Sequence, residues 1–352
     1  MSDRNLRFKA ADIERFLASA FVALEVPEND ATAVARLMVR ADLYGYDTHG
    51  TFRLRQYVNR LRDGGLNPKA TITTVTERDA VALVDGDNGF GHLAMSAATE
   101  LAIKKAATAG IGWVGVRNGN HAGPAALYVN QAVENDMIGL CGAVGSANHV
   151  PPFGGSDLLL GTNPIAIAVP AGRSPPFVLD MATTVAASGK IRTLAQRGEP
   201  MPEGWMVDRD GKPLTDPKRQ SEGLMLPIGG PKGYGLAMAL GLLAGSLNGA
   251  AFGKDVVDMT RDTGKPTNTG QFIAAISVAA FGDINAFKTT VDGVFETIRS
   301  SATLPGHDGV RIPGEHRGET FEERSNNGVP LHPKLVEALS GIAKELDIPD
   351  LS

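Results

Sequence analysis

Three residues spaced by four raise the question of chemistry: His49, Arg53 and Tyr57 in "GYDTHGTFRLRQY". If a helix starts near Thr48, all three project from one face. An imidazole, a guanidinium and a phenol together suit a small hydroxy- or keto-acid. The guanidinium grips the carboxylate through two parallel hydrogen bonds, and the imidazole manages the proton on the adjacent oxygen. A plainer reading also fits, with Thr48 capping the helix and Arg53 and Tyr57 on a solvated face. The second candidate is His121 in "NGNHAGPAAL". It sits at a strand-to-helix junction, where flanking glycines let a ligand approach closely; a core or capping histidine is the alternative. The seven histidines show no H-E-x-x-H or similar ligand spacing, so no metal site is expected.

A third set is made of turns: "VGSANHVPPFGG", "GTNP", "LDMATT" and "GPKGYG". Such turns can hold phosphates or a nicotinamide. Lys232 stands at the start of an apolar helix, where the dipole and free N–H groups favour an anion; it reads as a phosphate contact or as a helix-start lysine with no ligand. The stretch "GIGWVG", Gly110 to Gly115, matches G-x-G-x-x-G. That dinucleotide fingerprint must follow a strand and open a helix. Here Gly110 closes a helical pattern, and Gly112 and Gly115 fall within or beside a strand. The match is a coincidence of a glycine-rich chain, so a nucleotide, if bound, is bound some other way.

The elements that must position these residues follow from pattern. At 352 residues the chain predicts two or three domains, and 43% apolar with 21% charged residues is ordinary for a globular protein. The net charge of -5 and dispersed basic residues exclude a nucleic-acid or anionic-membrane binder. Cys141 is the single cysteine, in the apolar run "IGLCGAV", and reads as a buried inert thiol. "MSDRNLRFKAADIERF" has no apolar h-region, so a cytoplasmic protein is expected. The uncharged run Gly233 to Gly253 is interrupted by Ser246 and Asn248 and thinned by glycines. It predicts a buried helix, at a subunit interface if the chain associates, rather than a membrane span.

The first 65 residues read as three helices, with Ile13, Phe16, Leu17, Ala20, Phe21 and Leu24 at helical period. From about Thr71, strands alternate with helices, which argues for an α/β layer architecture. Lys190 to Pro227 is polar and rich in Pro and Gly, an excursion of turns. Helical segments close the chain. The expected organisation is an N-terminal helical domain (residues 1–70) joined by C-terminal helices (285–352), and an α/β cofactor-binding domain (71–284) carrying the excursion at 190–227.

Taken in order, "DTHG", "GNHAG", "PFGG…GTNP", "DMATT", "GPKGYG" and "RIPGE" resemble the malate/L-lactate dehydrogenase family that lacks a Rossmann fold. The resemblance runs from about Leu17 to Glu315. It implies an α/β, non-Rossmann, mixed-sheet layer architecture of the sulfolactate dehydrogenase kind, with N- and C-terminal helices packed together, and a homodimer with sites near its interface. It implies His121 or His49 as catalytic acid/base with Thr48 beside it, and Arg53 and Tyr57 as substrate-binding residues. Ser146, Asp180, Met181, Ala182, Lys232, Gly306, His307 and Asp308 match positions that contact the nicotinamide cofactor, NAD with NADP as the other possibility. Ala122 stands where the family commonly has an aromatic. The Lys190 to Leu194 stretch offers no carboxylate to orient His49, as some members have. The expected activity is hydride transfer between NAD(P) and a small 2-hydroxy acid or its 2-keto counterpart, malate- or lactate-like. The alternatives are a cyclic imino-acid reductase (piperideine- or pyrroline-2-carboxylate), a ureidoglycolate dehydrogenase, or a non-catalytic binding protein on the same scaffold.

Overall fold

The helical periods at the start of the chain close on one another. The computed structural model describes residues 6–352, so Met1–Asn5, the first part of the stretch read as lacking a secretory signal, lie outside the described residues. A short strand, β1 (Leu6–Phe8), leads into α1 (Ala10–Val22), α2 (Glu28–Leu43) and α3 (Leu54–Arg62). Ile13, Leu17 and Phe21 of α1 meet Val34 and Met38 of α2 and Leu54, Tyr57 and Val58 of α3 in one buried core.

The α/β unit follows: β2 (Thr73–Glu77), β3 (Val81–Asp85), α4 (Gly91–Ala109), β4 (Ile111–Gly119), α5 (Ala126–Val133), β5 (Met137–Ala143), β6 (Ile165–Val169) and β7 (Phe177–Met181). After the excursion, with α6 (Ser188–Arg197), β8 (Met206–Val207) and β9 (Leu224–Met225), come α7 (Pro231–Ala244) and β10 (Thr269–Ser277). The main sheet runs β2-β3-β4-β10-β5-β6-β7. Only β3 and β4 pair in parallel; the other five pairings are antiparallel. A dinucleotide fold of the Rossmann type needs consecutive parallel βαβ units, so this is a mixed, non-Rossmann α/β sheet. Gly112 and Gly115 of the fingerprint-like stretch serve packing. A Cβ at Gly112 would overlap the Ala102 carbonyl of α4, and one at Gly115 would overlap the Asn248 amide.

The chain ends with α8 (Ile284–Arg299), α9 (Glu315–Asn327), β11 (Val329–Leu331) and α10 (Pro333–Leu346). β11 pairs antiparallel with β1, and Leu339, Ile342 and Ala343 of α10 enter the core of α1 to α3. The N- and C-terminal helices therefore pack together. On α8, Asp292 accepts the N–H groups of Gly172, Arg173 and Ser174, fixing the turn before β7.

Two segments differ from their sequence reading. The excursion, expected as turns, contains α6 and the β8–β9 ribbon, closed over Ile191, Met201, Met206, Leu214 and Met225. Those apolar residues are too widely and unevenly spaced to show a period in any short window. The apolar helix α7 is buried only on the face carrying Ala237, Leu240, Gly241 and Ala244; Met238, Leu242 and Leu243 are exposed. Among the described residues, no helix is long and apolar enough to cross a membrane.

The segment joining α2 to α3 is held by a buried carboxylate. Asp42 accepts the Thr51 N–H at 2.8 Å and the Thr51 hydroxyl at 2.5 Å. Its other oxygen fills the space where Gly50 would carry a Cβ. From α9, Arg317 donates to the Tyr44 and Gly45 carbonyls, and Arg324 to the Asp42 carbonyl and the Asp47 carboxylate. A first turn of tighter helix at Thr51–Arg53 then leads into α3. This corrects the expectation of a helix starting near Thr48: Asp42 caps the turn at Thr51, so His49 lies in the loop before it. Gly50→Ala should therefore destabilise the fold by about 1–3 kcal/mol through overpacking and lower activity along with it; an unchanged urea midpoint would show that Asp42 can move aside.

Candidate active site

Tyr57 projects from α3 into the core between Phe21 and Phe90, whose rings meet it edge-on at 6.2 and 5.5 Å. Its hydroxyl lies 2.6 Å from Nδ1 of His121. His121 follows β4, and its backbone is clamped on both sides. Gln271 of β10 donates to the Asn120 carbonyl at 2.8 Å. The Asn120 amide donates to Asn88 and Gly89, while its oxygen accepts from Arg60 and Thr267. Arg60, fully buried, also donates to the carbonyls of Gly65, Asp262 and Lys265. One guanidinium thus joins α3, the end of β4 and the 259–265 segment, and buried hydrogen bonds to a charge are among the stronger ones.

His49 reaches the same place from its loop. Its ring stacks on that of His121 with centroids 5.5 Å apart and an interplanar angle of 21°. Thr48 Oγ1 is 3.0 Å from His49 Nδ1. Arg53 donates through Nε to the Thr48 carbonyl at 2.7 Å and through one Nη to Gln56 at 2.7 Å. Among the described residues nothing accepts from its other Nη. His49, Arg53 and His121 line one cleft of about 890 Å³, counting the space at its open mouth, and Ser146 lines it too.

Burial sets the protonation states. It lowers His49 to about 3 and His121 well below its ordinary range, with the charge of Arg53 as the next cause in both. The same burial pushes the Tyr57 phenol up and lowers Arg53 only to about 10. At neutral pH the imidazoles are neutral, the phenol keeps its proton and the guanidinium keeps its charge. Tyr57 and, at 3.4 Å, the Gly123 N–H both approach His121 Nδ1. A neutral ring that accepts both at Nδ1 carries its proton on Nε2, and one that donates from Nδ1 to the Tyr57 hydroxyl leaves Nε2 free. Cys141, buried at the cleft floor with its thiol pushed up in pKa, is no nucleophile.

Apart from Ser146, the residues matched to cofactor contacts do not line this cleft. Asp180, at the end of β7, accepts the Ala126 N–H at the start of α5, and burial raises it to about 6. Met181 and Ala182 are half-buried beside it, Lys232 is exposed at the start of α7, and Gly306, His307 and Asp308 lie in an exposed segment before α9. The "GTNP" turn lines the cleft through Thr162 and Pro164, and between them Asn163 accepts the Gly145 N–H and donates to the Ala237 carbonyl, tying the cleft wall to α7. Three side chains at the site escaped sequence reasoning. His92, on the first turn of α4, is fully buried, edge-on to His121 at 6.3 Å, with both ring nitrogens unpartnered; in sequence it is one more residue of a helical pattern. His149 and Arg192 line the cleft from segments read as turns. Ala122, where an aromatic is common in the resembled family, also lines the cleft and leaves it room.

Two imidazoles kept neutral beside a guanidinium form a site for moving a proton at an oxygen of a small anion. The comparisons agree with that class. A model of the family described as malate/L-lactate dehydrogenase matches residues 8–340, and the chain belongs to this family. The L-sulfolactate dehydrogenase of Methanothermobacter thermautotrophicus is 39% identical over 343 residues, covering 97% of this chain and 98% of that one. Among solved structures, sulfolactate dehydrogenase from Methanocaldococcus jannaschii matches with a TM-score of 0.90 at 38% identity, over 97% of this chain and 98% of its own. Malate dehydrogenase from Entamoeba histolytica matches with a TM-score of 0.94 at 30% identity, over 98% and 99%. The protein is an oxidoreductase, a nicotinamide-dependent 2-hydroxyacid dehydrogenase by family.

The Arg53 charge helps keep both histidines neutral, so an anion bound beside it should relieve that effect and raise the imidazole pKa. In oxidation the base must be unprotonated, and activity falls as pH drops through its pKa. The acidic limb of kcat, which reports the substrate complex, should then lie on the order of one pH unit above that of kcat/KM, which reports the free enzyme. Coincident limbs would mean that no anion settles at Arg53.

Proposed function

We propose that the protein transfers a hydride between a nicotinamide dinucleotide, NAD with NADP as the alternative, and a small 2-hydroxy acid or its 2-keto counterpart of the malate or lactate kind. The observation that carries this reading is the convergence of His49, Arg53 and His121, distant in sequence, on one cleft. The cleft fits a flat ring as well as an acid. Ala122, Gly123, Ala125, Ala143, Gly145 and Ala147 line it with little more than methyl groups and backbone. Ser146 supplies a hydroxyl on the same wall. Asp180–Ala182, Lys232 and Gly306–Asp308 lie outside the cleft and are assigned to the remainder of the dinucleotide.

A nicotinamide held against Ala122, Gly123, Gly145 and Ser146 would supply the hydride acceptor in oxidation and the hydride donor in reduction. Arg53 holds the substrate carboxylate through its unpartnered Nη and so fixes which carbon faces the ring; orientation of this kind supplies much of the rate. In oxidation His121, with its own proton on Nδ1 and donated to the Tyr57 hydroxyl, takes the hydroxyl proton on Nε2; in reduction the doubly protonated ring returns it to the carbonyl oxygen. Tyr57, at the other ring nitrogen, donates or accepts as the ring's protonation requires. Thr48 does the same for His49, which stacks on His121 and confines it. The closed core behind Tyr57 excludes water from that side.

A homodimer belongs to the same proposal. Met238, Leu242 and Leu243 of α7, with Leu247 just beyond, form an exposed apolar patch on a chain with a well-filled core, and patches of that kind mark association surfaces.

Two measurements test these readings. In a panel of 2-hydroxy, 2-keto and cyclic imino acids, followed by reduced-nicotinamide absorbance with each dinucleotide, hydroxy and keto acids should turn over. His121→Ala should lower kcat about 10²–10⁴-fold while sparing dinucleotide binding. Full activity in both His121→Ala and His49→Ala would discard the mechanism, and turnover of imino acids alone would discard the substrate. In light scattering at micromolar concentration the chain should weigh as a dimer, and Leu243→Glu should weaken it; a monomeric wild type would remove that part.

A further inference from the structure

We infer that Arg192 makes this cleft select acids with a second anionic group at the end away from the reacting carbon, a dicarboxylate or a sulfonated 2-hydroxy acid, over acids with a single carboxylate. The inference rests on the hydride-transfer reading above and narrows its substrate class.

Charge lining the cleft is one-sided. Two arginines, Arg53 and Arg192, face it, and no aspartate or glutamate is among its lining residues. Arg53 is held by the Thr48 carbonyl and Gln56. Arg192 has no hydrogen bond or ion pair among the described residues, although it is half-buried. Other half-buried arginines are engaged, Arg324 by Asp47, Arg299 by Glu315 and Arg317 by the Tyr44 and Gly45 carbonyls. A guanidinium left unmatched on a cleft wall is a site for an incoming anion.

Its placement on α6 gives the second anion a defined position. Gly189 packs against Thr48 so closely that a Cβ there would lie 2.7 Å from the threonine methyl. This seats the first turn of α6 on the loop that carries His49. Arg192 is three residues further on and shares that face. Ser188, at the helix start, lines the cleft as well, with its hydroxyl accepting from Gln220. The free N–H groups of that first turn add to the positive potential. Arg192 also bears on the other groups of the cleft. Its charge helps lower Arg53, after burial and against the opposing effect of Tyr57, and it lowers His149 after burial and against Asp258. A monoanion offsets one of the two guanidinium charges, while a dianion offsets both. A dinucleotide phosphate is the other source of an anion at Arg192, and the test separates the two.

Steady-state kinetics of wild type and Arg192→Met with L-malate, sulfolactate, lactate and 2-hydroxybutyrate, each with NAD and NADP, decide the matter. Wild type should prefer the dianionic acids, and the variant should lose about ten- to a hundredfold in kcat/KM on them, the worth of a charged hydrogen bond. That loss should appear in KM rather than kcat, collapsing the preference for malate over lactate, with Arg192→Lys retaining part of it. Equal losses on both kinds of acid, or a raised KM for either dinucleotide with the acid preference intact, would overturn the inference and hand Arg192 to the cofactor. A wild type that prefers lactate would overturn it too, with the hydride-transfer reading still standing. A wild type that oxidises none of these acids would bring down that parent reading instead.

Discussion

The hydrogen bond between Tyr57 and His121 joins two layers that the chain builds separately, and the site exists only where they meet. Tyr57 belongs to the helical layer, with Arg53 one turn earlier on the same chain segment and His49 in the loop before it. His121 and Ser146 belong to the sheet, at the ends of β4 and β5. A shift of one layer against the other by about an ångström would open the 2.6 Å contact, since hydrogen bonds weaken steeply with distance and angle. Arg60 resists such a shift by reaching Asn120 and the 259–265 carbonyls from the helix that carries Tyr57. The insertion of β10 between β4 and β5 does the same from the sheet side, through Gln271.

Much of this was legible in the residues. Helical periods in the first 65 residues are real because each buried face meets another helix and little else. Alternation of strands and helices gave the α/β class, and the reversed order around Gly110 excluded the dinucleotide fingerprint correctly. His49, Arg53 and His121 could be chosen because their chemistry is carried by residue type, independent of packing. The helical-face argument that linked His49 to Arg53 was wrong in detail: the two converge through a loop shaped by Asp42 and Gly50. Nothing in the spacing of Asp42 and Gly50 announces that pair, because the contact depends on how α2 lies across α3.

Elements without a continuous buried face were the hardest to read. α9 lies in the stretch 285–352 expected as helices, but it has no buried residue, so no hydrophobic period marks its bounds; Arg317 and Arg324 dock it on main-chain carbonyls. The small core of the excursion draws one or two residues from each of several short segments, α6, β8 and β9 among them, a pattern visible only after folding. His92 was hidden for the opposite reason. It lies in a well-formed helix, where a buried polar side chain looks like any other core position until its neighbours are known.

The division of labour in the cleft follows from one solvation effect acting on unequal groups. Burial penalises every cation, and it acts on His49, His121 and Arg53 alike. The imidazole ordinarily titrates near neutral pH and the guanidinium far above it, so burial discharges the first and leaves the second charged. A charged imidazole would attract an acid but could not take its proton, and a neutral guanidinium could not hold the acid at all. By desolvating all three together, the fold leaves the arginine charged and the histidines neutral, the states that the proposed anion binding and proton movement require. No carboxylate is needed in the lining to keep them apart.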